Sequence, residues 1–542
     1  MLNRRLVSSL ALLALVATPP AVAAQSGSQT MATPRAAAAA ESLPLGPADL
    51  TESRTTTTLQ PGVTLTTIVR GATDPADVWT VEAKIPAGGP SPDPDAPPTA
   101  LSDRASADEL ADRLRVQGFE ARVEEVVTPA TADFAGGSLG WRVRVGRFAD
   151  KAAADATLAR MVTAGFAGGS VFTGWDGSPT ARGPWHLQVL TIDPEKFNGE
   201  ILASFGPDIE NREATSTLSR AHGATAAVNA GYFVLDPASG APGDPAGVGV
   251  YDGRLLSETI GHRPALVLRD DARRTMVERL HWVGTVKGHG HGRLTLDGID
   301  RVPGLIRNCG GTADDVPTAS PLHDFTCTDS AELVAFTPDF GQHTPSGPGL
   351  EAVLDRHDRV VSVLSPRGVT LPPGYEAVQA TGSLVDDLRS TAVVGKRLRI
   401  STTLQDDRGH VVRRHSATSI VNGGPELVRD GQLHVTPRAD GFVRPTDPSF
   451  YYGFSAKRNP RTFAGVDAAG RILLVTADGR STESLGLSIV ETGAVARALG
   501  MRDALNLDGG GSTTMVVDGQ VINVPSDATG ERPVGDALLI LP

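Results

Sequence analysis

The sequence predicts an α+β protein: a large mixed or antiparallel sheet domain with packed helices, preceded by a small split βαβ domain. Three observations carry this expectation. The 542 residues, 40% hydrophobic and 21% charged, are enough for two or more cored domains. Between 78 and 175 the order strand, helix, strand occurs twice. Beyond 184, strand patterns outnumber helical ones without regular alternation, which favours α+β over a doubly wound sheet.

Met1 to Arg5 is a basic segment, Leu6 to Val16 an apolar run and Ala21 to Ala24 a small-residue cleavage site, so residues 1–24 read as an export signal. The apolar run is shorter than the roughly 20 residues that span a bilayer, and no later segment is apolar for that long. The expected mature protein is secreted, with no transmembrane segment; an uncleaved anchor is the alternative. Residues 25–75, rich in Ala, Thr, Ser, Pro and Gly, read as a low-complexity tether. Within them, Leu65 to Gly71 alternates like a strand of a later domain.

From Val78 to Ala83 the pattern is a strand. A Pro-rich insertion at 87–98 precedes a helix from Ser106 to Gln117, a stop at Gly118 and a strand from Phe119 to Val127. The order recurs as strand 141–146, helix 151–164, Gly165 and strand 169–173, with "VQGFEARV" echoed by "TAGFAGGSV". Residues 76–176 resemble the SPOR domain family, most typically in "GWRVRVGRFADKAAADATLARMVTAGF". The resemblance implies binding of peptidoglycan glycan strands stripped of their peptides. The Pro-rich insertion departs from the family pattern, and a purely structural accessory domain is the alternative.

From 184 to 542 the strand signals include "HLQVLTID", "TAAVNAGYF", "ALVLRDD" and "RILLVTADG". Helical signals fall at 210–223, 384–391 and 488–500. The formal net charge of −12 argues against non-specific nucleic-acid binding, which needs clustered Lys and Arg. Individual arginines can still hold a phosphate. The two cysteines, Cys309 and Cys327, are expected to pair in an oxidising compartment. Two buried thiols are the alternative, and their spacing has no zinc signature.

The stretch "ALNLDGGGSTTMVVDGQ", 504–520, sets three glycines between two strand patterns. A P-loop or dinucleotide turn needs a strand leading into a helix, and the P-loop also needs a Gly-Lys-Ser/Thr that is absent. Successive glycine amides can form a concave anion site, so an anion or a sugar is expected above Gly509, Gly510 and Gly511. A β-bulge or tight connection is the alternative for the glycines taken alone.

Asn229-Ala230-Gly231-Tyr232-Phe233, Asn422-Gly423-Gly424-Pro425, Pro460-Arg461-Thr462-Phe463-Ala464-Gly465 and Leu507-Asp508-Gly509-Gly510-Gly511-Ser512-Thr513 occur in this order. With Pro525-Ser526 and Glu531-Arg532-Pro533-Val534 they resemble the phosphodiester glycosidase family, of the uncovering-enzyme type, over roughly 220–542. The resemblance implies hydrolysis of a sugar-1-phosphodiester to free sugar and a phosphomonoester. An oxocarbenium-like transition state asks for a carboxylate near the anomeric carbon, and Asp508 is the first choice. The departing phosphomonoester has a second pKa of about 6 and needs positive donors more than a strong acid. Arg461 and Arg532 suit that role.

Asn229 and Asn506 are expected on sugar hydroxyls, Ser512 and Thr513 around the phosphate, and Gly231 and Thr462 in the binding surface. Glu491 is a possible acid or base because the family pattern carries a glutamate there, although Ser488-x-x-Glu491 also reads as a capping box. Glu531 reads as an ion-pair partner of Arg532. His289 and His291 read as an exposed loop rather than a metal site. Arg307 to Gly311 lines the pocket or forms a loop ordered by the disulfide. No cofactor is called for; a divalent cation near Asp244 and Asp252 stays open. Neither a Gly-x-Ser-x-Gly nor a His-Glu-x-x-His element occurs.

The reading is a secreted, wall-associated hydrolase of sugar-1-phosphodiesters, with cell-envelope glycan as partner. The alternatives are a phosphodiesterase cleaving P–O and a non-catalytic wall-binding protein.

Overall fold

A computed structural model describes residues 42–85, 99–269, 273–288, 293–309, 321–444 and 447–542. The export signal, the start of the tether, the Pro-rich insertion, His289, His291, Gly310 and Gly311 lie outside the described residues. Residues Ser42–Pro542 pack as one unit.

The largest sheet has eight antiparallel strands, in the order Glu52–Gln60, Val63–Arg70, Trp185–Ile192, Ile472–Ala477, Arg461–Asp467, Met501–Asn506, Glu426–Arg429 and Gln432–Leu433. Its first two strands correct the expected tether, since 52–70 is a hairpin. The hairpin is poor in apolar residues because much of its outer strand faces solvent, where β-branched threonines serve as well as valine. The inner strand buries Val63, Ile68 and Arg70. Arg70 donates from Nε to the Leu45 carbonyl at 2.8 Å and from Nη2 to that of Pro47 at 3.0 Å, which orders the chain ahead of the hairpin.

Strand Val63–Arg70 pairs with Trp185–Ile192 in register Arg70↔Trp185. The small domain is therefore an insertion between two adjacent strands of the large sheet. Its four strands run in the order Ala121–Thr128, Gly137–Phe148, Trp79–Ala83, Gly168–Phe172. Helices Arg104–Val116 and Lys151–Thr163 start at Asp103 and Asp150, whose carboxylates accept from the Ser106 and Ala153 amides at 2.9 Å. They bury Leu110, Leu114, Ala154 and Met161. Trp79, Val81 and Phe172 belong to the same core as Trp185, Leu485 and Leu487 of the large domain, so no flexible linker separates the two.

A five-stranded sheet, ordered Gln520–Val521, Met515–Val517, Ala226–Asn229, Ala537–Ile540, Ile201–Ser204, meets the large one at the end of Asn229. Helix Thr215–His222 is shorter than the 210–223 pattern because Glu213 is held in a β-bridge with Val534. Helix Ile489–Ala498 has the capping box its sequence predicts. Cys309 and Cys327 are disulfide-bonded beside the two-stranded ladder Leu305–Arg307/Thr326–Thr328. Among the described residues no helix is long and apolar enough to cross a membrane.

Candidate active site

Three strands bring the motifs together. Ala226–Asn229 ends, Arg461–Asp467 begins and Met501–Asn506 runs out into Asp508 at one edge where the two sheets meet, with Phe463 opposite Asn506. The Asp508 amide donates to Ala230 O at 2.9 Å, and that of Leu507 to Thr462 O at 2.9 Å. Asn229 Nδ2 donates to Asp508 O at 2.7 Å, while Asn229 Oδ1 accepts from Thr462 Oγ1 at 2.7 Å and from the Thr514 amide at 3.0 Å. Asn229 and Thr462, expected on the ligand, are instead buried and spent on holding the Asp508 turn.

The carboxylate of Asp508 accepts the Gly509 amide on Oδ1 at 2.9 Å, which orients it over the glycine turn. Gly510 has φ +58°, a conformation glycine adopts without strain. A Cβ on Gly511 would lie 2.2 Å from Arg532 Nη2, so the missing side chain is the space the guanidinium occupies. The turn is thus covered by protein cations, with the Arg480 Nη2 atom 3.2 Å from a Cβ on Gly510.

Above it lies a cavity open to solvent. Among the described residues Asp508, Gly509, Gly510 and Ser512 line one side, and four arginines, Arg307, Arg461, Arg480 and Arg532, face them beside two carboxylates, Asp508 and Asp324. That imbalance favours an anion. Each arginine is aimed by its own partners. Arg532 forks onto Asp527 at 2.8 and 3.0 Å, and Arg307 pairs with Asp324. Arg480 reaches Asn459 Oδ1 at 3.2 Å from a left-handed backbone, φ +56°. Arg461 is buried, donating to the carbonyls of Leu487, at 3.0 Å, and Phe454. Burial pushes its pKa down to about 10, which leaves it cationic at neutral pH.

Tyr232 and His323 line the same cavity, and the sequence reading assigned a role to neither. Tyr232 donates to Gly424 O at 2.6 Å and accepts from Asn506 Nδ2 at 2.8 Å. Asn506 therefore holds Tyr232 rather than lining the cavity. His323 is buried, stacked on Phe442 at 4.2 Å and edge-on to Tyr232 at 4.3 Å. Burial, then Arg263, Arg307 and Arg444, holds its pKa well below the usual imidazole range. Arg263 Nη1 lies 2.8 Å from Nδ1. A guanidinium only donates, so Nδ1 is the acceptor and the proton of the neutral ring sits on Nε2. The "NAGYF" motif could have pointed to Tyr232; His323 lies in no motif.

The remaining expected residues are placed as follows. The Gly231 amide donates to Asp536 Oδ1 at 2.7 Å. Gly231, Gly511, Thr513 and Glu491 are not on the cavity lining. Among the described residues the hydroxyls of Ser512, Thr513 and Thr514 are buried without a partner, and of these Ser512 reaches the cavity. Glu491 closes the capping box with Ser488 and pairs with buried Arg458 at 2.6 Å. Glu531 accepts from the amide and hydroxyl of Ser216 at 2.8 and 2.6 Å.

Asp244 is buried, and its carboxyl is pushed well above the usual range by burial and then by Glu258. Among the described residues His262, His281 and Asp407 bring metal-ligand atoms together. The two rings are stacked at 4.2 Å with only 16° between their planes. Each lone pair lies in its ring plane, so near-parallel stacked rings do not aim at a common ion.

A family model for phosphodiester glycosidases matches residues 352–541, and one for the SPOR domain matches residues 99–173. The chain therefore carries a phosphodiester glycosidase domain and a SPOR domain. It is 32% identical over 109 residues to N-acetylglucosamine-1-phosphodiester alpha-N-acetylglucosaminidase of Mus musculus, covering 20% of this chain and 21% of that one. The Homo sapiens protein of that name is 30% identical over the same length and coverage. The chain thus matches about a fifth of the length of these curated relatives. The crystal structure of a Burkholderia pseudomallei protein described as exported superposes with a TM-score of 0.83 at 34% identity, over 94% of this chain and all of that one. A hypothetical protein from Synechocystis shares the fold, with a TM-score of 0.50 at 15% identity over 90% of this chain and 79% of that one.

Proposed function

We propose that the protein is a secreted hydrolase cleaving the glycosidic C–O bond of a sugar-1-phosphodiester in cell-envelope or extracellular glycan. The observation that carries this reading is one oriented carboxylate, Asp508, in a cavity where arginines outnumber carboxylates. Asp508, held over the glycine turn by the Gly509 amide, is the group placed to stabilise positive charge at the anomeric carbon. Arg461, Arg480 and Arg532, with the Ser512 hydroxyl, take the departing phosphate. Tyr232 and the Nε2–H of His323 are uncharged groups for sugar hydroxyls. Water supplies the oxygen that ends on the sugar, and its proton ends on the phosphomonoester or solvent. Glycan recognition by the SPOR domain and a location outside the cytoplasm complete the reading; a SPOR domain match and an exported relative support it.

The test is release of reducing sugar from N-acetylglucosamine-1-phosphodiesters in ¹⁸O-water, comparing the parent with Asp508→Asn. Label in the sugar, with loss of release in the variant, is expected. Label in the phosphate would replace this reading with P–O cleavage. No release from a panel of sugar-1-phosphodiesters would favour a binding role.

A further inference from the structure

The ten residues from Tyr452 to Arg461 have two faces. Gly453, Phe454, Asn459 and Arg461 line the cavity. Tyr452, Lys457 and Arg458 reach the other way, toward the SPOR domain. The segment begins as a π-helix, Tyr452–Ala456, a form that occurs mostly as local bulges at functional sites.

On the SPOR side the buried phenol of Tyr452 donates to Glu82 Oε2 at 2.7 Å and accepts from Arg142 Nη1 at 2.8 Å. Those partners are themselves fixed. Buried Arg144 links Glu82 at 3.0 Å to Asp176 at 2.6 Å, and Arg142 meets Asp176 at 2.9 Å. Farther along, Arg458 donates to Gly174 O at 2.7 Å and Ser178 O at 2.8 Å, and Glu491 balances its charge. On the cavity side Asn459 Nδ2 donates to Gly453 O at 2.9 Å, and Arg461 donates to Phe454 O.

We infer that Tyr452 is a positioning residue for the cavity and that the SPOR domain, through Glu82 and Arg142, sets the π-turn carrying Phe454 and, beyond it, Arg461. The inserted domain is thus part of the support of the active-site wall. In this docked arrangement Glu82 and Arg144 are buried and closed to a glycan strand. The inference rests on the reading of this cavity as the substrate site. Removing the phenol hydroxyl leaves Glu82 and Arg142 one partner short and loosens the turn. Displacements of about 1 Å at such a wall can cost roughly 100-fold in rate.

The experiment compares full-length parent, Tyr452→Phe and Arg142→Lys by hydrogen exchange over 447–461 and by kinetics on an N-acetylglucosamine-1-phosphodiester. Tyr452→Phe is expected to raise exchange over 453–461 at least about tenfold, leaving 121–148 unchanged. KM should rise more than kcat falls, and Arg142→Lys, which keeps a donor for the phenol, should stay close to the parent. Unchanged exchange over 453–461 in Tyr452→Phe, beside a normally active parent, overturns the inference alone. An inactive parent whose exchange still rises on substitution overturns the proposed reaction and keeps the positioning role.

Discussion

The side-chain amide of Asn229 is bonded to the main-chain carbonyl of Asp508 over 2.7 Å, and its oxygen is shared between Thr462 and the Thr514 amide. One buried side chain therefore ties three strand ends to the turn bearing the proposed carboxylate. Asn229→Ala removes three hydrogen bonds, leaving the Asp508 carbonyl, the Thr462 hydroxyl and the Thr514 amide each one partner short. Each such loss costs about 1–3 kcal/mol, so a total of roughly 3 kcal/mol in chemical denaturation is expected, together with loss of turnover. An unchanged midpoint would show that the turn does not depend on Asn229.

Gly511→Ala tests whether the glycine turn exists to admit Arg532. The added Cβ would lie 2.2 Å from Arg532 Nη2 and 2.3 Å from Asp527 Oδ1, so the ion pair has to shift. Titration with inorganic phosphate should show affinity falling about tenfold, equivalent to about 1.4 kcal/mol. Wild-type affinity in the variant would remove Arg532 from the anion site.

Particular residues show what was legible in the sequence. The two SPOR-like half-repeats, the Ser488 capping box and the turn after Asp508 follow local rules of spacing, capping and glycine chemistry, and those rules need no tertiary information. The inner strand of the hairpin at 52–70 reads from Leu65 to Gly71 as part of a later domain, but the outer strand, Glu52–Gln60, was hidden because its threonines look like a tether until a partner strand is known. Asn229, Thr462 and Asn506 lay in the right motifs but face inward, since a motif marks a place and not the direction of a side chain. His323 and Arg480 were missed because chain segments remote in sequence bring them to the cavity.

Glu491 separates a structural carboxylate from a catalytic one. Its partner Arg458 is fully buried, and Glu491 itself is 15% exposed at the side chain. Glu491→Gln keeps the capping box, since glutamine fills the same role, but leaves the guanidinium without its counter-charge. Breaking such a pair costs about 3–5 kcal/mol when fully buried, so a loss near the lower end is expected, with kcat per folded molecule within about tenfold of the parent. A drop in kcat of about 1,000-fold at unchanged stability would instead make Glu491 an acid or base.

Asp536 is buried against Tyr251 and the Gly231 amide, and burial pushes its pKa up to about 6. Its folded-state pKa is thus above the unfolded value, so its contribution is complete below about pH 4 and is lost as pH rises through about 6. At one pKa unit per 1.36 kcal/mol, the loss amounts to about 3 kcal/mol. Asp536→Asn removes the titration. Denaturation midpoints at pH 4.5 and pH 7 should lie closer together in the variant than in the parent, and an equal gap in both would show that Asp536 does not titrate in this range.

His323 shifts the other way. Its folded pKa is depressed by burial and by Arg263, so its contribution is complete above about pH 6.5 and is lost as pH falls. Protonating Nδ1 also takes the acceptor away from Arg263, two of whose other guanidinium nitrogens, Nε and Nη2, are already buried without partners among the described residues. His323→Gln, which can keep an oxygen for Arg263 but cannot titrate, should flatten the decline in stability between pH 6.5 and 5. It should also weaken turnover at every pH in that interval by a similar factor, because the neutral ring offers the same Nε2–H throughout. A turnover loss confined to one side of pH 6 would mean that the ring moves a proton during the reaction instead of positioning the sugar as a neutral donor.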